Sequence, residues 1–106
     1  MAQFFAYKNA NPSTRNQYPY LLDIQSDLLS DLKTTLVIPL SPAKIAAPMS
    51  LSRLNSSFAL VDGETFFAIT QDIAGIDRSH LGAQAYDLSA LRSEIVAAVD
   101  FILSGI

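Results

Sequence analysis

The stretch that most limits what this chain can become is its last, from Asp87 to Ile106. Leu91, Ile95, Ala98, Val99, Ile102 and Leu103 recur there at three- and four-residue steps, the spacing that gathers side chains on one side of an α-helix. That side is predicted to lie on the core. Asp87 or Ser89 supplies an oxygen for the first free amides, and Gly105 suits the left-handed residue just past the helix end. A helix this short is marginal alone in water, so the preceding chain must provide a sheet against which its stripe is buried. The C-terminal tip then stays available to a partner.

The rest of the sequence supplies such a sheet. Gln3 to Tyr7 reads as a first strand ending near Lys8, and Asn9 to Gln17 as an exposed, mobile loop. Tyr18 to Gln25 resumes extended structure, with Tyr20, Leu22 and Ile24 on one face and Leu21, Asp23 and Gln25 on the other. Ser26 to Leu32 is either irregular helix or a bulged corner. Thr34 to Leu40 carries consecutive apolar residues that predict burial on both faces, while Pro39, lacking an amide donor, predicts an edge or a bulge. Ser41 to Asn55 reads as a long connection anchored by Leu51 and Leu54. Phe58–Val61 and Glu64–Thr70, joined by Asp62-Gly63, predict a hairpin with a two-residue turn. Gln71 to Ala83 is a polar turn followed by an extended piece around His80 and Leu81. Short strands closed by one helix describe a compact, mainly antiparallel β domain.

At 106 residues the chain is read as one domain, 1–106. Half its residues are hydrophobic and only 16% are charged, which argues for a filled core and against disorder. It holds no cysteine, so disulfides and thiolate metal sites are excluded. No leader-like or membrane-spanning run is seen, which makes a cytoplasmic location the expectation. A net charge of −3 with seven Lys and Arg leaves no patch for phosphates, so direct nucleic-acid binding is not expected.

Little in the sequence suggests catalysis. His80 is the single histidine, which rules out a histidine dyad and gives it a structural reading. Ser79, adjacent on an extended segment, would face the opposite way. Asp23, Asp27 and Asp31 have helical spacing but no calcium-type loop, and read as a solvated face. Neither a metal nor a cofactor is expected. Ile106 reads either as a frayed terminus or as a hydrophobic tip for another protein.

Three stretches in order, Asp23-Ile24-Gln25-Ser26-Asp27-Leu28-Leu29, Leu36-Val37-Ile38-Pro39-Leu40 and the closing helix with Gly105-Ile106, resemble the CcdB family of toxins from toxin–antitoxin modules. The resemblance runs over nearly the whole chain. It implies a mainly β (α+β) fold, an SH3-like barrel of antiparallel strands with a C-terminal α-helix, in a symmetric homodimer. It also implies a function without catalysis: binding the DNA gyrase A subunit, trapping the enzyme with its DNA cleaved, and neutralisation by a CcdA-type antitoxin. The positions matching the family's gyrase contacts are Leu28, Leu29, Asp100, Leu103, Ser104, Gly105 and Ile106. Antitoxin contacts fall near Lys8, Asn9 and Arg15.

One residue departs from the pattern. Ser104 stands where the best-known branch has tryptophan, and losing such an anchor weakens a hot spot by about 2 kcal/mol, roughly thirtyfold in affinity. Two other readings share the fold: a MazF-like endoribonuclease, for which Arg15, Arg53, Arg78 and Thr70 are the raw material, and an inactive relative that only binds antitoxin.

Overall fold

The computed structural model describes residues 2–46, 57–59 and 63–105. Leu51 and Leu54, the Asp62 half of the expected turn, Arg53 and Ile106 lie outside them. The strands are β1 (Phe5–Asn9), β2 (Tyr20–Asp23), β3 (Thr34–Pro42), β4 (Ser57–Ala59), β5 (Thr65–Ala68), β6 (Ala74–Asp77) and β7 (Leu81–Asp87). A short α1 (Ala43–Ala46) follows β3, and α2 (Arg92–Ser104) follows β7. All described pairings are antiparallel, with the path β4-β5-β3-β2-β1-β7 and β6 on β3. The fold is mainly β with one C-terminal helix, as expected.

The long β3 explains Pro39, which is neither at an edge nor in a bulge. Its first half, Thr34 to Val37, pairs with β6, and its last part, Leu40 to Pro42, pairs with β5. Pro39 falls between the two. Its carbonyl accepts from the Ile69 amide at 2.9 Å, so the donor that proline lacks would have pointed to the gap where one partner strand hands over to the next. The β4–β5 hairpin is present, with Ser57, Phe58 and Ala59 opposite Phe67, Phe66 and Thr65; the chain between Ala59 and Gly63 lies outside the described residues. Gly63 there has a φ of +82°, the conformation expected of the glycine.

Both faces of the sheet are covered. On one, Phe4, Ala6, Leu22, Ile38, Leu40, Phe66 and Ala68 pack with Leu88 and Ile95. Tyr7, Leu21, Val37 and Leu81 form a smaller cluster on the other. The alternation expected along Tyr20 to Gln25 is therefore right, and burial of β3 is continuous from Val37 onward.

The closing helix departs from expectation at its far end. Ile95 and Ala98 are buried and Leu91 and Val99 pack on the core, yet Ile102 and Leu103 are exposed. The apolar stripe outruns the surface it packs on. Gly105 caps as expected, at φ +72° with its amide donating to the Phe101 carbonyl at 2.8 Å. At the start, Asp87 accepts from the Ser89 amide at 2.9 Å and so serves a 3₁₀ turn, Ser89–Leu91, that leads into α2.

Phe4 is held with a φ of +65°, a conformation costing a non-glycine residue about 1–3 kcal/mol. Three contacts offset this. Its amide donates to the Asp23 carbonyl at 2.6 Å, its carbonyl accepts from the Leu88 amide at 2.9 Å, and its buried ring lies 5.7 Å beneath the Arg92 guanidinium.

Candidate functional site

The sequence segment after β2 resolves into a 3₁₀ turn, Asp27–Leu29, capped by the Ser26 hydroxyl, which accepts from the Leu28 amide at 3.2 Å. Turning the chain this tightly on a sheet rim leaves its side chains with nothing to pack on. Leu28 is 94% exposed, and Leu29 and Leu32 are also exposed. Exposed single leucines are ordinary; three within five residues are not.

The second apolar group is on α2. Leu103 is 79% exposed, and Val96 and Ile102 are open too. Asp100 lies exposed on the same helix. Ser104 turns its hydroxyl back to donate to the Asp100 carbonyl at 2.7 Å, the four-residue back-bond open to a serine in a helix. Of the expected gyrase-contact residues, those described occupy two places, the turn after β2 (Leu28, Leu29) and the end of α2 with its cap (Asp100, Leu103, Ser104, Gly105). Leu32, Leu36, Val96 and Ile102 are also exposed apolar side chains, none of them among the expected gyrase contacts.

Lys8, Asn9 and Arg15 are brought together around one open concavity with Asn16, Pro19 and Tyr20. Asn9, however, is buried and fully occupied. Its amide nitrogen donates to Thr14 Oγ1 at 2.9 Å and to the Tyr18 carbonyl at 2.8 Å, while its oxygen accepts from the Asn11 amide at 2.9 Å. Asn9 organises the loop, and Lys8 and Arg15 are the exposed pair. The loop expected to be mobile is thus tied by these bonds and by the Thr14, Arg15, Gln17 and Tyr18 amides.

Beneath that loop is a cavity of ≈ 210 Å³ with Leu21, Val37, Pro39 and Ile76 among its lining residues. Tyr18 and Asp72 also line it, joined by a 2.8 Å hydrogen bond from the phenol. Burial, then the acceptor and charge of Asp72, push the Tyr18 phenol up to about 12. His80 lines the same cavity, on a 3₁₀ turn rather than a strand, and its carbonyl accepts from the Ala10 amide at 2.9 Å.

The acidic trio is not a solvated face. Asp23 is 2% exposed; its Oδ1 accepts from Thr35 at 2.8 Å and from the Gln25 amide at 3.1 Å, and its Oδ2 lies 4.0 Å from Arg78. Asp27 accepts from the Gln3 amide at 2.8 Å, and Asp31 is exposed. Among the described residues, those a nuclease would need are not assembled. Thr70 is buried, the Arg78 side chain bonds to the carbonyls of Leu29 and Leu32, and Arg15 is exposed on the loop between β1 and β2.

Fold and surface together define a small mainly-β domain with one C-terminal helix, exposing apolar side chains on that helix and on one turn, as a protein-contact surface requires. No helix among the described residues is long and apolar enough to cross a membrane. The family model described as CcdB protein matches residues 3–105. The chain belongs to the CcdB family, and so to the toxins of toxin–antitoxin modules.

Proposed function

We propose that the chain acts without catalysis as a cytoplasmic toxin, a symmetric homodimer that binds the DNA gyrase A subunit and holds the enzyme on cleaved DNA. A CcdA-type antitoxin neutralises it. The observation that carries this reading is that Leu28 and Leu103 are the two most exposed large apolar side chains among the described residues. Both fall at positions where the resemblance puts gyrase contacts. Exposing such side chains is unfavourable unless a partner covers them, and a two-fold pair presents each twice to a two-fold target. Lys8 and Arg15, exposed around one concavity, are the proposed antitoxin contacts, positioned by Asn9.

Expression in cells with ordinary gyrase is expected to stop growth and to raise the amount of gyrase–cleaved DNA complex. Removing Ser104 to Ile106 should abolish both while leaving the protein folded. Normal growth alongside abundant folded protein would contradict the proposal.

A further inference from the structure

Arg78 lies between β6 and β7, yet it serves the loop between β2 and β3. Its Nε donates to the Leu32 carbonyl at 2.6 Å and one terminal nitrogen donates to the Leu29 carbonyl at 3.1 Å, partners 46 and 49 residues away in sequence. Its backbone amide donates to the Lys33 carbonyl at 2.8 Å. The other terminal nitrogen is buried without a hydrogen bond and lies 4.0 Å from the buried Asp23 carboxylate. Three carbonyls of one loop thus converge on a single residue, and the loop's leucines project to solvent.

This arrangement needs an arginine. The guanidinium is a rigid fork, able to meet two carbonyls while keeping a third edge toward a carboxylate; a lysine ammonium has one nitrogen for all three tasks. Besides Arg78, the Gln3 amide ties the start of the loop by donating to Asp27 at 2.8 Å, but the leucines themselves pack little, Leu28 being 94% exposed and Leu29 and Leu32 about half exposed. The loop's own hydrogen bonds, from the amides of Leu29, Ser30 and Leu32, are those of single 3₁₀-type turns.

We propose that Arg78 is a positioning residue for partner binding. It holds Leu28, Leu29 and Leu32 as a preformed apolar patch, so that association does not have to order them. The inference rests on the reading of this loop as part of the gyrase contact, and it extends that contact to Leu32.

The test compares the parent chain with Arg78→Met, which keeps an unbranched apolar stem and loses every side-chain donor, and Arg78→Lys, which keeps the charge. Amide hydrogen exchange of Leu28 to Leu32 is measured in the free protein, with the core amides of Leu22 and Ile38 as the reference for global stability. Binding to the gyrase A subunit is measured in parallel. In Arg78→Met the loop amides should exchange at least about tenfold faster relative to the core, and binding should weaken by about tenfold. Arg78→Lys should fall between that variant and the parent. Should Arg78→Met fail to fold, Arg78→Lys carries the same comparison. Unchanged loop exchange, or faster exchange with unchanged binding, overturns the proposal. If the parent itself does not bind gyrase, the functional reading falls, the positioning proposal with it, and the exchange ratio separately decides whether Arg78 orders the loop.

Discussion

Tyr18 shows how one residue can tie two distant parts of the chain. Its phenol donates to Asp72 at 2.8 Å, joining the β1–β2 loop to the turn after β5. Because its folded pKa is raised from 10.0 to about 12, the neutral form is favoured in the folded state. The resulting stability is complete below pH 10 and is lost as pH climbs through about 12. Denaturant unfolding of the parent and Tyr18→Phe should therefore show the parent's advantage shrinking across that window. A difference independent of pH would contradict the shared proton. Sequence alone gave no hint of this bond, nor of Asp23 with Arg78, because the partners are 54 and 55 positions apart and neither segment shows periodicity that would join them. The burial of Leu22 and Ile38, by contrast, was readable from alternation and from the apolar run.

At the scale of elements, α2 is two helices in function. Its first half is core, through Ile95 and Ala98, and its last turns present Ile102 and Leu103 to solvent. Ile95→Ala is expected to cost about 2–5 kcal/mol through the cavity it leaves, whereas Leu103→Ala should change stability by no more than about 0.5 kcal/mol. Urea unfolding of both variants checks the contrast; equal losses would mean that Leu103 is packed. Periodicity told which side of the helix is apolar, and Gly105 told where it ends. Neither could say how far the underlying sheet reaches, which is why Ile102 and Leu103 were expected inside. Pro39 was misread for a similar reason: its missing donor was visible, but the handover from β6 to β5 beside it depends on segments far along the chain.

For the whole molecule, the sheet is a frame that carries its apolar contacts at the rim. The core beneath α2 and the smaller cluster opposite fix β2 and β3, and from these emerge the leucine turn and the surface around it. The architecture of strands and one helix was legible from hydrophobic pattern, and the positions of Leu28 and Leu103 from resemblance. The exposure of both is what the structure adds. The most direct measurement is calorimetric titration of the gyrase A subunit with the parent chain and with a Leu28→Ser, Leu103→Ser double variant, both checked for native circular dichroism. Saturable binding by the parent, weakened at least about a hundredfold in the double variant, is the expected result. Equal affinity for the two proteins, or no binding by the parent, would contradict the account.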